Sequence, residues 1–135
     1  MNIAIAELAD GATGLLARRL NRSAVTTSST EPAREWSDVT DDLLRLRLLE
    51  DDWDGQGADA PAPSVVDAAL NVANDLRTAG MPPADRAVAG VNGTVFFEWH
   101  HPKQYLEIEV FTADRAEGRW VDSDTNAVEE FGLTR

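Results

Sequence analysis

Hydrophobic positions recur with two different periods along this chain. Trp36, Val39, Leu43, Leu46 and either Leu49 or Glu50 fall at helical spacing, and Leu44 and Leu48 widen the stripe. This predicts a helix capped by Ser37 or Thr40, with Asp41 and Asp42 at the positive end of its dipole. A second helix opens on Pro63-Ser64-Val-Val-Asp67, a capping-box-like start with Asp in place of the usual Glu. Val66, Ala69, Leu70, Ala73 and Leu76 form its apolar face, and Gly80 followed by Pro82-Pro83 stops it. The period then drops to two. Asn92-Gly93 predicts a tight hairpin turn in which both central residues take positive φ. Val95, Phe97 and Trp99 then alternate with Phe96, Glu98 and His100. His101–Gln104 reads as the next turn, after which Leu106, Ile108 and Val110 alternate with Tyr105, Glu107, Glu109 and Phe111. Residues 114–118 read as a third turn before Arg119-Trp120-Val121. The predicted fold class is α+β: two helices packed on one face of a three- to four-stranded antiparallel meander, with an N-terminal appendage.

The appendage and its linker span 1–35 and the α+β domain 36–135. A short helix is expected across Leu15–Leu20, and the Ser- and Thr-rich stretch 23–32 reads as a linker. Residues 1–34 carry a net charge of +1, whereas the whole chain of 135 residues carries −12, so the body is strongly acidic. Such a surface repels phosphate and argues against direct nucleic-acid binding or docking on anionic membranes. With no cysteine there is no disulfide, thiolate nucleophile or Cys-based metal site. No apolar run approaches the roughly 20 residues of a membrane span, and residues 1–20 lack a signal-peptide pattern, so a cytoplasmic protein is expected.

Candidate chemistry is sparse. Glu50, Asp52, Asp54 and Gly55 match the first half of a calcium loop, but Pro61 stands where the bidentate carboxylate belongs. The stretch is read instead as structural: Trp53 packs under the sheet, Asp54 and its neighbours stay wet, and Gly55 and Gly57 turn the chain. Glu98 and His100 share a strand face that Glu107 or Glu109 can meet across the turn, a weak zinc or nickel arrangement. Alternation places these side chains on the solvent side, where charged cross-strand neighbours are ordinary. Glu107 and Glu109, the natural pair for carboxylate hydrolysis, lack an environment that separates their roles. No catalytic residue, metal ligand or cofactor is assigned, and enzymatic activity is disfavoured.

Asp52-Trp53-Asp54-Gly55-Gln56-Gly57-Ala58, then Ala60-Pro61-Ala-Pro-Ser64, then Gly93-Thr-Val-Phe-Phe-Glu98-Trp99 recur in an order that resembles a group of small, uncharacterised bacterial proteins. Their signature is DWDGxGA, a Pro/Ser-capped helix and a DGxIxLEW hairpin. The resemblance covers about residues 40–122, departs at Asn92 where Asp is usual, and carries over no catalytic residue. It implies Trp53, Asp54, Gly55, Gly57 and Trp99 as a structural motif, and an antitoxin-like or inhibitory partner of a second protein encoded nearby. The expected function is therefore a non-enzymatic protein-binding module for a basic partner, anchored by Ile3, Ile5, Leu8, Leu15, Leu16 and Leu20 of the arm. The alternatives are a small metal-dependent enzyme or metal-binding module, and an acidic DNA mimic. A bare sheet edge also leaves room for a homo-oligomer.

Overall fold

A computed structural model describes residues 33–134. The arm anchors Ile3 to Leu20 and the linker lie outside the described residues. Helix α1 spans Trp36–Leu46 and α2 spans Pro63–Thr78. Five strands follow: β1 Arg86–Ala89, β2 Val95–His101, β3 Gln104–Thr112, β4 Arg115–Asp122 and β5 Ala127–Thr134. They form one antiparallel sheet in chain order. The α+β class holds, with five strands where three or four were expected.

The helices start earlier than their polar residues suggested. Glu35 is the N-cap of α1, and its N–H donates to Asp38 Oδ2, so the acid of the first turn is Asp38. Thr40 instead bonds back to the Trp36 carbonyl, and Asp42 pairs with Arg34 and Arg45. Ala62 is the N-cap of α2 with Pro63 at its first position, where the missing N–H costs nothing; Ser64 makes no cap. The predicted stop is present. Gly80 takes φ +86°, and Met81 N–H reaches back to the Leu76 carbonyl at 3.0 Å, closing the helix as a Schellman turn.

Val39 and Leu43 of α1, six residues of α2 and the inward sides of the strands share one core. Leu44 and Leu48 do not join it; Leu48 is 81% exposed. Trp99, Phe97, Leu106, Ile108, Val110 and Trp120 supply the sheet's share, and the helices rest mainly on β1, β2 and β3. Trp36 and Trp99 close the end of the layer near the Pro82-Pro83 corner, their indole N–H groups donating to the Met81 and Pro82 carbonyls at 3.0 and 2.9 Å.

Two turns differ from expectation. The hairpin joining β1 to β2 is a turn from Gly90 to Gly93, closed by Gly93 N–H to the Gly90 carbonyl, in which Gly93 alone takes positive φ (+77°). A three-residue loop with one left-handed glycine replaces the two-residue turn. The third turn sits at Ala113-Asp114, so Gly118 lies inside β4. There the Phe131 ring of β5 covers it: a Cβ at Gly118 would stand 2.2 Å from the ring. The aromatic fills space that a side chain on β4 would otherwise take.

Candidate functional site

Among the described residues, one face of the sheet lies under the helices and no element covers the other. Period-two geometry and the strand register decide which side chains meet on the open face. Arg86, Glu98, Glu107, Arg119 and Glu130 stand in a single row across all five strands. The neighbouring row is Val88, Phe96, Glu109, Glu117 and Gly132. Two like-charge pairs therefore sit directly opposite each other, Glu98 with Glu107 and Glu109 with Glu117, an arrangement that costs stability in a sheet.

The first pair is compensated from within. Tyr105 Oη lies 2.7 Å from Glu107 Oε2 and 3.1 Å from Glu98 Oε1, so one hydroxyl hydrogen serves two carboxylates. Burial, reinforced by Glu107 and Glu98, pushes the Tyr105 hydroxyl above its ordinary value, which keeps it a donor. Arg86 pairs with Glu98, whose side chain is only 15% exposed, and His100 Nε2 lies 3.7 Å from the same Glu98 oxygen. The His100 ring packs on Tyr105 with centroids 4.9 Å apart.

The second pair is compensated on one oxygen each. Glu109 Oε2 accepts from Thr94 Oγ1 at 2.8 Å, and Glu117 Oε1 accepts from the exposed Arg115 at 2.8 Å. Beside them Gly132 contributes no side chain, which leaves an open depression of about 370 Å³ lined by Glu107, Glu109, Glu117, Arg119 and Glu130. Four carboxylates face one guanidinium there. The space suits a cationic side chain, because a second guanidinium or ammonium would relieve the repulsion that the register imposes.

Glu98, Glu107 and Glu109 thus stand on the solvent face as the alternation indicated, though partly buried rather than fully wet. Among the described residues no three acidic or histidine side chains converge as metal ligands. Tyr105, Glu117, Arg119, Glu130 and Gly132 were not assigned from the pattern. Arg115, Glu117 and Arg119 do alternate with Ala116, Gly118 and Trp120, a signal hidden by reading Gly118 as a turn.

The Asp-rich loop is braced by its own carboxylates. Gly57 N–H donates to Asp52 Oδ1 at 2.7 Å, and Ala60 N–H to Asp51 Oδ1 at 3.0 Å. Gln56 and Ala58 N–H groups both donate to Asp54 Oδ1, at 2.9 and 3.0 Å. Gly55 and Gly57 take φ +73° and +86°, as a turning segment requires. Trp53 does not pack under the sheet. It is 36% exposed and its indole N–H ties the loop to the Asp59 carbonyl at 3.1 Å, because the backbone donors pull the loop into a knot beside the core rather than over it. Trp99, the other aromatic of the motif, is buried.

The Gln56 N–H, followed by that of Ala58, holds the Asp54 carboxyl below the usual aspartate range. A depressed folded value means that the stabilisation is present above the unfolded value and is lost as pH falls through the folded one. Trp53 fluorescence followed from pH 6 downward should therefore change with a midpoint below the ordinary aspartate pKa of 3.8. In Asp54→Asn that transition should vanish; its survival in the variant assigns it to another group.

The fold and its open face together define a small α+β domain with one helix-covered and one charged, solvent-facing sheet surface. In comparisons with known proteins, no family model, curated protein or solved structure matches the chain. No helix among the described residues is long and apolar enough to cross a membrane.

Proposed function

We propose that the protein is an acidic binding module that captures a basic segment of another protein on the open face of its sheet, as an inhibitory or antitoxin-like partner. The observation that carries this reading is the Glu109–Glu117 pair, two directly opposed carboxylates beside a side-chain-free position, where a bound cation supplies what the register withholds. Locally unfavourable arrangements of this kind concentrate where a surface is shaped for a ligand. The net charge of −12 speeds the approach of a positive partner. Arg86 and Arg119 interrupt the row of glutamates, which favours a protein partner over mimicry of an unbroken run of phosphates.

The test is binding of an arginine-rich reporter peptide by fluorescence anisotropy, at low and high salt. Glu117→Lys with Glu130→Lys should weaken binding roughly tenfold or more while circular dichroism stays unchanged. Asp41→Lys with Glu50→Lys, which changes net charge equally on exposed residues outside the sheet, should weaken it only slightly. Equal losses from the two double variants would reduce the effect to overall charge and remove the site.

A further inference from the structure

The depression reaches Glu130, Phe131 and Gly132 of β5, and β5 is an edge strand among the described residues. It pairs with β4 along eight residues, and no described element pairs with its other side. The opposite edge offers less: β1 has four residues and lies against α1. A long unpaired edge is a template for another strand, and proteins guard such edges with charge. Here the guard is Glu129 and Glu130, adjacent residues that point to opposite faces. Two copies meeting edge to edge would set these acids against each other. A basic strand would instead be held by them on both faces.

Building on the acidic-module reading, we infer that the partner segment binds as a sixth strand, antiparallel to β5, and that β5 dictates its sequence. Antiparallel addition continues the meander. Along β5 the open-face positions are Val128, Glu130 and Gly132, and the core-side positions are Glu129, Phe131 and Leu133. Val128 is 48% exposed, an apolar side chain on the open face with a free flank. A strand running from Leu133 back to Val128 meets, in turn, apolar, empty, apolar, acidic, acidic and apolar neighbours. The empty place beside Gly132 admits a long cation that leans over it toward Glu117, its cross-strand partner, and Glu109 beyond. The matching pattern is apolar–basic–apolar–basic–basic–apolar. The occupant is thus an extended basic segment of another protein, recognised by backbone pairing and by charges at set intervals.

The experiment uses the full chain and a fluorescein-labelled peptide, Ser-Val-Arg-Val-Arg-Arg-Val-Ser, against a peptide of equal composition with the arginines adjacent. The patterned peptide should bind about tenfold more tightly, and hydrogen exchange of the β5 amides that point away from β4 should slow on binding. N-methylation of the peptide amides that face β5 should cost tenfold or more, and methylation of the outward amides little. Equal affinity for both peptides, or indifference to N-methylation, overturns strand addition. If binding is then still lost in the Glu117→Lys, Glu130→Lys variant, the acidic site stands without it. Absence of binding by either peptide overturns both. Protection of the β5 amides that point away from β4 in the free protein also overturns the inference: concentration-dependent protection makes a second copy the occupant, and concentration-independent protection makes it a segment of this chain.

Discussion

Trp99→Ala should lower the stability of the domain by about 4 kcal/mol, the largest loss expected of any single truncation here. The side chain is 1% exposed and, with Trp120, is the largest of the fully buried residues. It stands directly opposite Leu106 of β3 and lies beside Phe97, with ring centroids 6.3 Å apart. Removing the indole opens a cavity in a layer only two elements thick, and leaves the Pro82 carbonyl without the donor it has at 2.9 Å. Urea unfolding followed by near-ultraviolet circular dichroism measures the loss, and the melting temperature should fall by roughly 15–25 °C. Trp99→Phe separates the two contributions: it keeps most of the packing and should cost about 1–2 kcal/mol for the orphaned carbonyl and the lost ring. Trp53→Ala, on the exposed loop, should cost less than about 1 kcal/mol. A Trp99→Ala protein within 1 kcal/mol of the parent would mean that this tryptophan is not the centre of the core.

Gly118→Ala should be the second most damaging change, at about 2–3 kcal/mol, even though alanine is the better residue for an ordinary strand. The new Cβ would stand 2.2 Å from the Phe131 ring, closer than any real contact, so Phe131 or the edge strand must move. Phe131→Ala alone should cost about 2 kcal/mol because the ring packs against the core from a half-buried position. The informative measurement is the double variant. With the ring gone the methyl group fits, so Gly118→Ala, Phe131→Ala should be more stable than the two single losses added together, by about 1–2 kcal/mol. Strict additivity would show that ring and glycine do not share the space.

The same residue marks where the chain's local pattern misleads. Glycine in a period-two run reads as a turn, because the commonest reason for glycine there is a backbone that must bend. In β4 the reason lies 13 residues away, in a ring that only the β4–β5 pairing brings over it. The edge strands were missed for related reasons. β1 is four residues long, and β5 carries Glu129-Glu130 in succession, which breaks the alternation that defines a half-buried strand. Its Phe131 and Leu133 face the core, but with glycine between them they make too short a run to be read alone. In the Asp-rich loop the turning role of Gly55 and Gly57 is legible, since glycine takes positive φ freely; the bracing role of Asp54 is not, because the pattern reads its carboxylate as solvated whereas it accepts two backbone N–H groups. The exposure of Trp53 is not legible either, because an aromatic beside a helix is ordinarily core.

What the sequence determined by itself is the set of features that act over a few residues. The helical stripe from Trp36, the Gly80 stop, the β2–β3 hairpin and the inward face of Phe97, Trp99, Leu106, Ile108 and Val110 follow from periodicity and turn chemistry, which need no distant partner. What only the tertiary structure decided is who stands opposite whom. Register sets Glu109 against Glu117 and Glu98 against Glu107, seats the Tyr105 hydroxyl between the latter two, and leaves Gly132 as the gap beside them. Alternation assigns a residue to a face, but its position along that face depends on hydrogen bonds summed over whole strands and on the core that both faces share. The arrangement of charges on the open face belongs to that second level.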